Sequence, residues 1–265
     1  MAGVITLITD FGTSDWYVAS MKGVILSRSP GCTIVDITHE IPPGEVVAAA
    51  LVLREASSYF PRGTVHVAVV DPGVGTSRAA LVARAGGFLF VGPDNGVLSL
   101  AMGLHPDPEV RAMERDDIML EPRSNTFHGR DVFAPAAAYL ASGGELSSLG
   151  ARLEEWVRLE LPALRRGTDF VEGHVIYLDR FGNGITDISE SELRGLSRKG
   201  RLRVMVGGAL ILDRVHRTYA EALPGTAVAM IGSSGFLEIA VSGGSAKDQL
   251  KLKAGATQVV VQCIP

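Results

Sequence analysis

Cysteine is almost absent from this chain: Cys32 and Cys263 are the only two in 265 residues, far apart and outside any CxxC spacing. Neither a disulfide framework nor a thiolate zinc site is indicated, and both read as small buried apolar residues. No apolar run reaches the ~20 residues of a membrane-spanning helix. Basic blocks and aromatic-basic interleaving are also missing, and 25 Lys plus Arg against 29 Asp plus Glu leave a net charge of -4. That balance argues against nucleic acid and for a small neutral or cationic partner. There is no GxxxxGK[ST], and Gly73-Val74-Gly75 lacks the third glycine of a dinucleotide fingerprint, so neither nucleoside triphosphate nor nicotinamide use is supported. Met1 leads directly into VITLIT with no basic n-region or cleavage site, and the expectation is a cytoplasmic protein.

What is present is enough apolar sequence for a substantial core. At 46% hydrophobic and 20% charged, a chain of this length buries roughly three quarters of its unfolded surface. The first part alternates strand-like and helix-like patterns: strands at 4–9, 33–37, 65–70, 80–84 and 88–91, and helices at 16–28, 45–59 and 134–141. This predicts an α/β domain with a central sheet over 1–166. The stretch LPALRRGTDF (161–170) reads as a linker. Over 167–265 the texture changes to short strands at 172–178, 184–188, 202–206, 226–231, 236–241 and 257–262, which predicts a smaller all-β, barrel-like domain.

Chemistry is expected where polar residues follow apolar runs. Val65–Val70 reads as a strand covered on both faces, and ligands in open α/β sheets bind beyond the carboxyl ends of such strands. Asp71 stands at that end, with Arg78 seven residues on. Taken alone, Asp71 before Pro72-Gly73 also fits a turn initiator. Similar loops are Thr9-Asp10-Phe11-Gly12, Asn125 to Asp131, Asp179 to Gly184 and Gly232 to Glu238. The Asp-Phe-Gly tripeptide has none of the kinase motifs upstream of it. His39, near Asp36 and Glu40, suggests a metal ligand or, more simply, a structural loop residue.

Taken in order, TDFG with Asp15 and YV, THEIPPGEV (38–46), VVDPGVGTSR (69–78), GPDNGVL (92–98), NTFHGRD (125–131), DRFGN (179–183) and GSSGFLEIA (232–240) resemble the S-adenosylmethionine hydroxide adenosyltransferase family, which is similar to fluorinases and chlorinases. The resemblance implies a central mixed sheet in the N-terminal domain, a C-terminal β barrel, and a homotrimer with active sites between subunits. It implies that water displaces L-methionine from the ribose 5′ carbon, with no cofactor and no metal, S-adenosylmethionine being the substrate.

By the same resemblance Asp71, Arg78 and His128 assist the water. Asp10 meets the ribose hydroxyls or the methionine ammonium, and Phe127 and Gly129 belong to the NTFHGRD loop. Asp179 and Phe181 precede Asn183, which with the backbone near Val241 reads adenine, while Phe181 packs on the base. Ser233 and Glu238 meet polar ends of the ligand. Two departures from the halogenating relatives bear on the reaction. They carry tyrosine where this chain has Asp71, and a carboxylate there repels halide and orients water. Gly44 lacks the aromatic that they place against the sugar, which leaves the ribose packing open. Gly129 does not discriminate, since chlorinating relatives share it. The alternatives are a halide-dependent 5′-halo-adenosine synthase and a non-catalytic adenosine-binding protein.

Overall fold

The computed structural model describes residues 3–198 and 200–264. The chain forms two compact units, the first ending at Leu159 and the second starting at Glu160. Arg165–Arg166, which the linker-based boundary assigned to the first domain, pairs with a strand of the second.

The first unit is a six-stranded sheet of β1 (Val4–Thr9), β2 (Thr33–Thr38), β3 (Val65–Val69), β4 (Ala80–Ala85), β5 (Phe88–Pro93) and β6 (Glu109–Ala112), in the order β2-β1-β3-β5-β4-β6. The first four in that order are parallel and β4 runs antiparallel to both its neighbours, so the sheet is mixed as expected. Strand alternation sends Ile5, Leu7, Val65, Val67 and Val69 to one face. There they meet α1 (Tyr17–Arg28) and α4 (Ala134–Ala141). Ile8, Ala68 and Val70 go to the other, under α2 (Val46–Ser57) and α3 (Ser99–Met102). Both faces of β3 are buried, which is why it reads as an unbroken apolar run. The edge strand β6 and the single-turn α3 had no predicted counterpart. Both are four residues long, too short to show a period.

The chain leaves β1 towards β2 on one side and later returns to place β3 on the other, so the carboxyl ends of β1 and β3 form a topological switch point. Thr9 and Val69 are register partners there. The Asp10 and Asp71 loops therefore emerge side by side.

The second unit is a nine-stranded sheet among the described residues: β7 (Arg165–Arg166), β8 (Phe170–Leu178), β9 (Gly184–Ser189), β10 (Arg201–Val206), β11 (Leu210–Leu212), β12 (Val215–His216), β13 (Ala227–Ile231), β14 (Phe236–Val241) and β15 (Gln258–Ile264). Its path runs β11-β10-β15-β8-β9-β14-β13-β12 and curls until β10 and β11 approach β12 and β13, a nearly closed barrel around Val175, Val204, Ile239 and Val261. It is not all-β. Helices α5 (Glu190–Ser197) and α6 (Ala246–Gln249) interrupt it. The α5 start carries a capping pattern that the all-β expectation passed over: Ser189 with Glu192 three residues on, the Ser189 hydroxyl accepting the Glu192 N–H.

Candidate active site

Asp71 follows the end of β3, and its loop is held by backbone: Val74 N–H donates to the Asp71 carbonyl at 3.2 Å. Asn95, in the GPDNGVL loop, donates to the carbonyl of Val70 at 2.8 Å and so fixes the residue before it. The Asp71 carboxylate is thus not spent on its own turn. Arg78 takes it instead, with Nε donating to Oδ1 and Oδ2 at 3.0 Å each and Nη2 donating to Oδ2. Both side chains are largely buried, Arg78 11% and Asp71 5% exposed. In such a setting the attraction within the pair is greater than on a surface, and desolvation of both ions offsets part of it. The guanidinium also lies over the Phe133 ring, 5.4 Å from its centre.

The same Nη2 reaches His128 Nδ1 at 2.8 Å. A guanidinium only donates, so Nδ1 must be the unprotonated nitrogen and Nε2 carries the ring proton. Burial, and then the positive charge of Arg78, hold the His128 pKa below its usual value, against the opposing pull of Asp71. The imidazole is therefore neutral at pH 7.

His128 reaches that position because two loops close on each other without side chains between them. Gly75 has φ +78°, and a Cβ there would lie 2.4 Å from the Asn125 carbonyl oxygen. Glycine is required on both counts. After His128 the chain winds through one π-helical turn, Gly129–Phe133, before α4 begins. Such turns favour functional sites because they re-aim side chains within a helix. A Cβ on Gly129 would crowd Met21 Sδ and the rings of Phe127 and Phe11 at 3.1–3.3 Å. Buried Phe127 packs edge-on to Phe11 and Tyr17 beneath this loop. Asp131, fully buried, is satisfied by Ser124 N–H and Arg130.

Asp10, beyond β1, accepts the Gly44 N–H on Oδ2 at 2.9 Å. The space beyond the Gly44 Cα is open. His39 is buried and bonded to Thr9, and among the described residues no three His, Cys, Asp or Glu side chains gather as a metal site. The Thr9 contact fits the structural reading of His39.

The second unit carries the remaining residues. Asp179 spends its carboxylate on Asn183, accepting the backbone N–H at 2.8 Å and Nδ2 at 3.0 Å. Asn183 is buried, and this leaves its Oδ1 as an oriented acceptor. Phe181 is 78% exposed. Ser233 lies on the exposed turn between β13 and β14. Glu238 is buried on β14, and Tyr219 donates its hydroxyl to Oε1 at 2.5 Å. Burial raises the Glu238 pKa, with Asp179 adding to the effect and Tyr219 opposing it. The Val241 side chain is buried and its carbonyl accepts the Gly244 N–H. Tyr219 and Asn95 were missed from sequence, Tyr219 because the short turn around it has no apolar run before it. Asn95 stood in a quoted motif, and its Asn-Gly pair marks a loop with a polar side chain to place.

The SAM hydroxide adenosyltransferase N-terminal domain description matches residues 5–150 and the corresponding C-terminal domain matches 173–259. This chain belongs to the SAM hydroxide adenosyltransferase family. Within it, the chain is 43% identical over 259 residues to a Thermus thermophilus protein named (R)-S-adenosyl-L-methionine hydrolase, covering 95% of this chain and 96% of the relative. A Salinispora arenicola relative of the same name is 40% identical, covering 95% of each chain. A Nocardia brasiliensis fluorinase is more distant, 31% identical with 95% of this chain and 94% of the relative covered. Among solved structures, an uncharacterized conserved protein from Thermotoga maritima superimposes with TM-score 0.90 at 38% identity, covering 97% of this chain and 99% of the other. A conserved hypothetical protein from Thermus thermophilus gives TM-score 0.77 at 42% identity, with 100% of both chains covered. The Asp71, Arg78 and His128 constellation of this family member lies wholly within the first matched domain.

Proposed function

We propose that this enzyme hydrolyses S-adenosyl-L-methionine, its R-sulfonium epimer in particular, to adenosine and L-methionine. The observation that carries this reading is the hydrogen-bonded set Asp71, Arg78 and His128 beyond the strand ends of the sheet. Relatives at 40–43% identity, named for hydrolysis of the R epimer, support it.

In this reaction a water oxygen forms a bond to the 5′ carbon as the carbon-sulfur bond breaks. The bonding pair goes to sulfur, which leaves as a neutral thioether, and one proton is released from the water. The leaving group needs no acid, and no metal or redox partner is required. Asp71 receives the hydrogen bond, and in part the proton, from the attacking water. Arg78 donates once to Oδ1 and twice to Oδ2, which leaves a lone pair on Oδ1 for this. Neutral His128 presents Nε2–H as a donor that orients the same water, so positioning carries more of the effect than full deprotonation.

Substrate recognition is assigned to Asp10, Phe127 and Gly129 in the first unit and to Asn183, Phe181, Ser233, Glu238 and the Val241 backbone in the second, with Asp179 acting through Asn183. A homotrimer with sites between subunits, in the cytoplasm, completes the proposal. The family resemblance supports that assembly. Light scattering coupled to size exclusion tests the trimer.

The reaction is tested by incubating the protein with a mixture of sulfonium epimers in halide-free, 18O-labelled water, with parallel chloride and fluoride additions. Labelled adenosine and methionine in equal amounts, with the R epimer consumed, are expected. A halogenated product would reassign the enzyme as a halide adenosyltransferase, and bound adenosine without turnover would reduce it to a binding protein.

A further inference from the structure

The buried imidazole of His39 lies at the centre of a directed chain. Lys22 Nζ is 2.5 Å from Asp36 Oδ2, and Asp36 Oδ1 is 3.0 Å from His39 Nε2, close though poorly aligned. His39 Nδ1 is 2.8 Å from Thr9 Oγ1, and that hydroxyl accepts the Phe11 N–H at 3.2 Å. The His39 carbonyl accepts the Gly12 N–H at 2.8 Å. One consistent set of protons runs through it: Nε2–H towards the carboxylate, Thr9 O–H into Nδ1, and Phe11 N–H into Thr9. Thr9 is fully buried and His39 only 4% exposed, so neither touches a ligand. The amides they hold are those of the two residues after Asp10, whose carboxylate closes the arrangement by taking Gly44 N–H from the His39 loop.

We propose that His39 is a positioning residue for substrate. Through Thr9 and its own carbonyl it fixes the turn presenting Asp10, and so sets substrate affinity without contact. This rests on the Asp10 assignment made above. The interaction it supports is uniform binding, made equally in the ground state and the transition state, so its loss appears in KM and leaves kcat in place.

The experiment is steady-state kinetics on full-length H39A, H39N, H39Q, T9V and D10A, with thermal midpoints measured alongside. Asparagine carries an acceptor oxygen at the place of Nδ1, whereas glutamine reaches only the position of Nε2. The expected result is a KM raised tenfold or more in H39A and T9V, with kcat within about twofold, recovery in H39N and none in H39Q. A normal KM in folded T9V and H39A overturns the proposal. So does a joint fall of kcat and midpoint that H39N does not restore. D10A separates the two claims: an unchanged KM there removes Asp10 from substrate binding and this route with it, whereas a raised KM in D10A with a normal one in T9V overturns only the positioning role.

Discussion

His128 Nδ1 stands 2.8 Å from Arg78 Nη2, a contact that exists only while the imidazole is neutral at that nitrogen. Burial and the Arg78 charge lower the His128 pKa, so acidification protonates it only below the ordinary value of 6.5. The acid limb of activity due to this residue is expected below pH 6.5, with a flat profile from pH 7 to 8. In R78A the His128 resonance is expected to titrate at higher pH by NMR. A limb centred above 6.5, or an unmoved resonance, would remove this assignment.

The approach of Gly75 to the Asn125 carbonyl is what brings the Arg78 and His128 loops together. Gly75→Ala introduces a Cβ where only 2.4 Å is available, in a left-handed conformation. A stability loss of about 1–3 kcal/mol is expected, with a larger proportional loss of kcat, measured by urea unfolding and steady-state kinetics. Wild-type kcat in this variant would show that the loops meet without glycine.

The Tyr219 hydroxyl opposes the rise in Glu238 pKa that burial and the Asp179 charge produce. Removing the hydroxyl in Tyr219→Phe raises the Glu238 pKa further. Adenosine affinity, followed by calorimetry from pH 5 to 8, is expected to weaken on the acid side at higher pH than in the wild type. Superimposable profiles would mean that the Glu238 charge is not read by the ligand.

In the core, Thr6 and His66 are register partners on neighbouring strands, bonded at 2.8 Å between Thr6 Oγ1 and His66 Nδ1. Both are fully buried, and the imidazole lies among Phe60, Phe88 and Phe90. Burial pushes the His66 pKa down to about 4. The unfolded chain therefore binds this proton near pH 6.5 and the folded one only near 4. Its stabilising contribution is complete above pH 6.5 and is lost as pH falls through that window, by about 3 kcal/mol. Urea midpoints at pH 7, 5 and 4 are expected to fall accordingly, and less steeply in His66→Leu. Equal slopes in both proteins would place the acid sensitivity elsewhere.

The major elements of the first unit were legible because a sheet buried on both faces writes itself as apolar strands, and its helices as longer runs between them. The strand-end rule singled out Asp71 by the same logic. The two-residue strands of the second unit and α3 were not legible, since a period needs several repeats to be visible. His39 was weighed as a ligand because a histidine between two carboxylates looks alike in either role until its partners are known.

Sequence by itself determined the longer strands, the two textures of the chain and the motif residues, because side-chain periodicity and turn chemistry are local. Only the tertiary structure decided that Asp71 serves Arg78 instead of its own turn, that His128 accepts at Nδ1, and that Tyr219 meets Glu238. Those pairings depend on strand order, on the crossing that sets β1 beside β3, and on a glycine with no side chain at the point where two loops touch.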